Sequence, residues 1–207
     1  MIMTRKEEII FATLELASEY GLRAISLSQI ADRIGIKKPS LYNHFKSKDE
    51  IVNEMYAFLR EKAQKNSNVQ VVGEEFFKNG SLEEILNACL TSYISFLSDG
   101  NMLKFFKVLY SERSTSPTAA QIMLEETDRM TGSIKNLFYA LVVHGKMKNE
   151  SVDIAAMSYA LTIHSLIDRH MDMITAGIEQ LPDKADVPED LQKYNKWFCK
   201  QMEVRNE

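Results

Sequence analysis

The chain has 207 residues, of which 45% are apolar and 26% charged, and a formal net charge of −4. That is the balance of a globular protein able to bury a sizeable core, and it excludes a low-complexity or collagen-like chain. Eight Gly and four Pro favour long helices over a turn-rich β fold. The first twenty residues are charged throughout and hold no apolar h-region, so no secretory leader is expected. No apolar run approaches the ~18 residues of a membrane span. Cys89 and Cys199 lie far apart without metal-type spacing, which predicts reduced thiols and a cytoplasmic protein.

Four short patterns mark helix starts: Thr4-x-x-Glu7, Ser26-x-x-Gln29, Ser47-x-x-Glu50 and Ser81-x-x-Glu84. In each, a hydroxyl can cap the amide three residues on, while the acid or amide reaches back. The first helix is predicted over Arg5 to Tyr20, with Ile9, Ala12, Leu16 and Tyr20 as its buried stripe and Gly21 as a left-handed stop. A short second helix runs Leu27 to Ile34, with Leu27, Ile30, Ala31 and Ile34 inward and Gly35 ending it. After Gly35-Ile36-Lys37 a third helix begins, with Pro39 in its first turn and Leu41 and Phe45 as an inward pair. Ser47 caps a fourth helix reaching about Asn66, with Ile51, Met55 and Leu59 inward.

Residues 67–80 are poorly patterned and form the predicted boundary between a small unit, 1–50 with its connecting helix 48–66, and a larger one, 67–207. Helices are predicted there over 82–98, 101–113, 117–147, 151–178 and 187–204. No repeat or convincing strand is present, so the expected class is all-α.

Charge divides unevenly. Residues 1–65 hold 11 Lys+Arg against 9 Asp+Glu, while residues 66–207 hold 14 against 20. Between Arg33 and Lys48 there are five cations and no carboxylate. Two short helices joined by a three-residue turn containing Gly follow the helix-turn-helix plan, whose second helix enters the major groove of DNA. The outward face of the third helix offers Lys38, Pro39, Ser40, Tyr42, Asn43 and His44. Ser and Asn reach base edges and a Pro ring can touch a thymine methyl. Tyr42 and His44 suit phosphate or base contact. Lys37, Lys46 and Lys48 suit phosphates, which position a protein without reading sequence. Ser26, capping the bracing helix, joins the DNA-contact candidates. A cationic run is more often only a solvated face. Here it coincides with two caps, a Gly turn and a short helix.

The stretch IIFATLELASEYGLRAISLSQIADRIGIKKPSLYNHFKSKDEI, through Ile30-Ala31, Gly35-Ile36 and Leu41-Tyr42-Asn43-His44-Phe45-Lys46-Ser47-Lys48, resembles the DNA-binding domain of the TetR family of transcriptional regulators. The resemblance covers about residues 5–60. It implies an N-terminal three-helix helix-turn-helix domain, a larger helical effector-binding and dimerisation domain, and a homodimer on a double-stranded DNA operator. It also implies that Tyr42, His44 and Lys48 meet the DNA backbone while Lys38, Pro39, Ser40 and Asn43 approach bases. Two positions depart from the family pattern. Lys37 stands where a capping Ser or Thr is usual, and Ala17 where an aromatic is frequent.

In the larger unit, Val152, Ala155, Ala156, Tyr159, Ala160 and Ile163 mix small and large residues, and Leu191, Tyr194, Phe198 and Met202 line the last helix beside Trp197. These stripes of 151–178 and 187–204 are the expected pairing faces; otherwise they serve the monomer core. A pocket for a small apolar or aromatic effector is expected among Phe96, Phe105, Phe106, Tyr110, Tyr139, His164 and Asp168. His164 and Asp168, at i and i+4, either bond a ligand or one another; no third donor completes a metal set. No cofactor is implied. The expected function is a ligand-responsive transcriptional regulator, most simply a repressor, whose fourth helix links reading head to pocket. The alternatives are a DNA-binding protein governed by a protein partner or by none, and a helical enzyme. The chain shows no nucleophile elbow, phosphate-cradling Gly loop or Cys/His arrangement in favour of the last.

Overall fold

The computed structural model describes residues 3–66, 74–178 and 186–204. These form helices α1 (Arg5–Tyr20), α2 (Leu27–Arg33), α3 (Lys38–Tyr42), α4 (Lys48–Asn66), α5 (Glu74–Asn79), α6 (Leu82–Leu97), α7 (Gly100–Glu112), α8 (Pro117–Val143), α9 (Val152–Thr175) and α10 (Glu189–Met202). Among the described residues no strand forms, only an isolated bridge between Met147 and Glu203. The all-α expectation holds.

The caps explain why these helices start where they do. Thr4, Ser26 and Ser81 each close a reciprocal capping box with Glu7, Gln29 and Glu84. At the fourth pattern only half the box forms. The Glu50 amide donates to Ser47 Oγ at 3.1 Å, but the Glu50 carboxylate reaches one residue further back, to the Lys46 amide. Helix ends are set more tightly than the apolar pattern implies. The helix predicted over 117–147 stops at Val143, because Gly145 takes φ 67° and the Gly145 and Lys146 amides fold back onto the carbonyls of Val142 and Leu141. This is the Schellman arrangement, which satisfies last-turn carbonyls. Gly21 ends α1 differently from the expected left-handed stop: its φ of 81° comes with ψ of 147°. The short α5 was not expected from the pattern, and residues 67–73 of the predicted boundary lie outside the described residues.

By contacts the chain forms two units, Met1–Asn68 with Asp99–Met123, and Val69–Ser98 with Leu124–Glu207. In the first, α1 packs on α2, α4 and α7. Neighbours on several sides bury α1 beyond a single stripe. Ile9, Ile10, Ala12, Leu14, Leu16 and Ala17 are all buried, whereas Tyr20, predicted inward, is 60% exposed. Thr13, fully buried, satisfies its hydroxyl on the Ile9 carbonyl at 2.8 Å. The predicted inward residues Ile51, Met55 and Leu59 of α4 are fully buried, as are Phe105 and Leu109 of α7. Thus α7 belongs by packing with the N-terminal helices, although it lies beyond residue 66 in the chain.

The second unit is a bundle of α6, α9, α10 and the later part of α8 around Leu82, Leu86, Phe138, Tyr159, Ile163, Leu191 and Phe198. Here the predicted pairing stripes are corrected. Val152, Ala156, Tyr159, Ala160 and Ile163 of α9, and Leu191 and Phe198 of α10, face this chain's own core. They were the most apolar faces, and the most apolar face is the one a helix buries first. The Tyr159 hydroxyl, taken from water, donates to Asn195 Oδ1 at 2.7 Å, and Asn195 Nδ2 donates to Asn87 Oδ1 at 2.6 Å. Burial pushes the Cys89 thiol up to about 11 and that of Cys199 to about 12, which keeps both protonated and inert near neutral pH.

Replacing Asn195 with Ala leaves the buried Tyr159 hydroxyl without an acceptor. A buried orphaned group costs about 1–3 kcal/mol. Urea unfolding of N195A should show a loss of that size; unchanged stability would mean that the hydroxyl finds another partner.

Candidate nucleic-acid interface

The reading head is built from a five-residue helix, too short to hold its shape alone. Its position comes from two side chains. Leu41 is 0% and Phe45 1% exposed, while α3 packs on α2, whose Ile30 and Ala31 are also fully buried. Lys6 of α1 sets its ammonium 5.4 Å from the centre of the Phe45 ring, closing the anchor from another side. Gly35 supplies the turn. At φ 68° it lets the Gly35 and Ile36 amides bond the Asp32 and Ala31 carbonyls, and the chain reverses within three residues.

With Leu41 and Phe45 inward, everything else on α3 faces out. Lys37, Lys38, Pro39, Ser40, Tyr42 and Asn43 are exposed, and His44 is half-buried. The helix ends at Tyr42. Asn43 caps it in helical conformation, and His44 sits in the turn that follows, its amide on the Leu41 carbonyl at 3.0 Å. The outward face predicted from Lys38 to His44 is therefore carried by one and a half helical turns plus a tight turn. Lys37 occupies the N-cap position and makes no side-chain cap, as the departure from the family pattern implies. Its ammonium stays at the surface. Ser26 is spent differently: its hydroxyl and amide are engaged with Gln29, each at 2.8 Å from Oε1.

Two cations of the basic run turn inward. Arg33 pairs with Glu15 of α1 at 2.9 Å and with Glu19 at 3.6 Å, so it braces α2 on α1. Lys48 is half-buried, and its ammonium donates to the Ile25 carbonyl at 2.7 Å and to the Leu22 carbonyl. It ties the start of α4 to the connection between α1 and α2. No periodicity announces such a tie, since carbonyl acceptors carry no sequence signature. A basic face made of Lys37, Lys38 and Lys46 remains, with short polar groups between.

The predicted effector residues are divided. Phe105, Phe106 and Tyr110 lie in the first unit, where Phe105 is core and Arg113 stacks 4.6 Å over the Tyr110 ring. Phe96, Tyr139, His164 and Asp168 lie in the second. Tyr139 is 44% exposed and donates to Asp153 at 2.9 Å, a surface position rather than a pocket wall. His164 Nε2 and Asp168 Oδ2 stand 3.9 Å apart on α9, sharing a face as their spacing requires. Asp168 and Glu126 both act on the hydroxyl of the partly buried Tyr93, which desolvation first and these carboxylates second hold well above its ordinary value. A polar group thus sits among α6, α8 and α9, where the surrounding core is apolar. No set of three His, Cys, Asp or Glu able to hold a metal occurs among the described residues.

An exposed reading helix, anchored by two buried residues and bracketed by a Gly turn and a capped helix, defines a helix-turn-helix DNA-binding regulator. Residues 9–55 match the family model of bacterial regulatory proteins of the tetR family, and residues 84–198 match that of the AefR-like transcriptional repressor C-terminal domain. The chain belongs to the TetR family of transcriptional regulators. Its sequence is 23% identical over 184 residues to the uncharacterized HTH-type regulator YezE of Bacillus subtilis, covering 86% of this chain and 91% of that one. The repressor KstR2 of Mycobacterium tuberculosis is 41% identical over 54 residues, 26% of this chain and 27% of its own length. A TetR-family crystal structure from Mesorhizobium loti shares the fold, with TM-score 0.71 at 20% identity over 98% of this chain and all of that one.

If Lys48 is the tie described, Lys48→Ala loses hydrogen bonds from a charged donor, each worth about 1.5–3 kcal/mol. Chemical denaturation should report that loss without any DNA present. Unchanged stability would leave the ammonium with no structural task.

Proposed function

We propose that this regulator is a repressor that grips a near-palindromic operator as a homodimer and lets go when a small molecule binds its helical bundle. The observation that carries the DNA-reading part is the division of α3 and its flanking turns into a buried anchor, Leu41 and Phe45, and an outward face from Lys37 to Asn43. On that face, Asn43, Ser40 and Pro39 approach base edges, and Lys37, Lys38, Tyr42 and Lys46 approach phosphates. Asn43 is the base reader of choice, because an amide can pair with adenine through two hydrogen bonds. His44, half-buried at the turn, and Lys48, tied inward, stand at the margin of this surface.

A symmetric operator needs two reading heads, hence a second copy. Support for pairing through α9 and α10 comes from what those helices leave outside. Ile154, Met157 and Leu161 are 65%, 49% and 44% exposed and lie at i, i+3 and i+7 of α9, and Trp197 of α10 is 55% exposed. That row differs from the small-residue stripe the sequence pointed to. Release by an effector requires that the ligand favour a conformation that fits DNA poorly. The bundle's polar group, Tyr93, Glu126, His164 and Asp168, with Phe96 on α6, provides the recognition chemistry for such a molecule. The fourth helix remains the proposed lever, since Lys48 at its start holds the connection between α1 and α2.

Affinity for duplex DNA should fall steeply between 50 and 200 mM salt, because neutralised phosphates release counterions, by roughly tenfold or more for a few contacts per head. Titration of a labelled operator at several salt concentrations checks this, and a flat response would remove the lysines from the interface. Asn43→Ala should change which operator is preferred, costing about 1–3 kcal/mol at one position of each half-site. Lys37→Ala should weaken all sequences alike; the opposite pattern would reverse the division between base and phosphate contacts.

A further inference from the structure

Lys6 breaks a local rule. It stands at the second position of α1, after the Thr4 cap and Arg5. A helix start carries partial positive charge, which favours a carboxylate there and disfavours a cation. The neighbouring charges are settled locally. Arg5 pairs with Glu8, and the Glu7 carboxylate accepts from the Thr4 amide and hydroxyl. Lys6 forms no ion pair among the described residues. A residue that goes against local preference without local compensation is a candidate for function. Lys6 also precedes residues 9–55, the part that matches the family model.

The compensation lies elsewhere in the fold. The Lys6 ammonium is held 5.4 Å from the centre of the Phe45 ring. Phe45 is 1% exposed and Lys6 is exposed, so the lysine covers that ring at the surface and keeps its charge in water. Phe45 sits between His44 and Lys46 on the turn that follows α3, and the Glu50 carboxylate fixes this turn by accepting from the Lys46 amide. A cation distant in the chain is thereby brought to the end of the reading helix, beside the basic face of Lys37, Lys38 and Lys46. An aromatic ring attracts the charge but offers no oxygen. The three N–H donors of the ammonium bond no acceptor of the chain among the described residues. A phosphate diester supplies such acceptors, and the groups already facing out on α3 bring one near.

We propose that Lys6 is a DNA-backbone contact of this regulator: with α3 in the groove, its ammonium takes a phosphate while its stem stays on Phe45. The proposal rests on the reading of α3 as the helix that enters DNA. A phosphate contact carries no sequence information, so Lys6 adds affinity and orientation. Through Phe45 it joins the phosphate to the side chain that anchors α3.

Salt dependence tests this with no operator in hand. The full chain is titrated against a labelled random-sequence duplex of about 30 base pairs, at several concentrations from roughly 50 to 200 mM salt. Lys6→Gln should lower the slope of log affinity against log salt by about 0.9 for each reading head on the duplex, and weaken binding roughly five- to tenfold per head near 100 mM. Lys6→Arg should keep the parent slope, since it keeps the charge. Lys196→Gln removes the same charge from an exposed position of the second unit and should leave the slope unchanged. A parent slope that stays the same in Lys6→Gln would overturn this contact alone; a lower melting temperature beside it would assign Lys6 to holding α3. An equal fall in Lys6→Gln and Lys196→Gln would reduce the effect to net charge and also overturn it. A parent whose binding ignores salt would overturn the DNA reading of α3 itself.

Discussion

The reading head depends on the burial of two side chains. Leu41 and Phe45 are four residues apart, and between them α3 has little else to keep it in place. Five residues of isolated helix have no stability in water, because nucleation costs more than so few hydrogen bonds return. Packing on Ile30 and Ala31 of α2, with Lys6 over the Phe45 ring, turns a marginal helix into a fixed platform. Once that anchor is set, the remaining side chains of α3 have only one direction to face. The exposure of Lys37, Lys38, Pro39, Ser40, Tyr42 and Asn43 follows from the anchor rather than from any property of their own.

A second layer of constraint fixes the platform to the rest of its unit. Arg33 holds α2 to α1 through Glu15 and Glu19, and Lys48 holds the start of α4 to the Leu22 and Ile25 carbonyls. The two are not equal. The Arg33 pairs are about one third exposed, and pairs of that kind contribute roughly 0–1 kcal/mol. Lys48 is half-buried and donates to two neutral carbonyls, so its loss removes hydrogen bonds from a charged donor and leaves those carbonyls without it. A basic run in an acidic chain thus serves two tasks at once: part of it meets solvent and part of it braces the fold.

Much of this was legible before any coordinates. Local rules act within a few residues, so Thr4, Ser26, Ser47 and Ser81 marked helix starts correctly, and α1, α4 and α6 begin where their caps predict. The inward pair Leu41 and Phe45 was legible because a helix with two apolar residues at i and i+4 has one way to be buried. What needed the structure were features set by distant partners. Tyr20 sat on the predicted stripe yet ends exposed at the last residue of α1, whose burial follows the helices packed around it rather than a single stripe. The Val152 to Ile163 stripe was read as a pairing surface, but periodicity reports only that a face is buried, not against what. Lys48 was read as a phosphate ligand, and its tie to two backbone carbonyls more than twenty residues away was not legible, because such acceptors leave no trace in the sequence.

The account turns on α3 presenting its outward face to duplex DNA from two copies of one chain. Selection of bound fragments from a random duplex pool addresses this directly. The expected product is an enriched inverted repeat, its half-sites separated by about one helical turn or a small multiple of it. Enrichment of a single unrepeated site, or no enrichment over the starting pool, would contradict it.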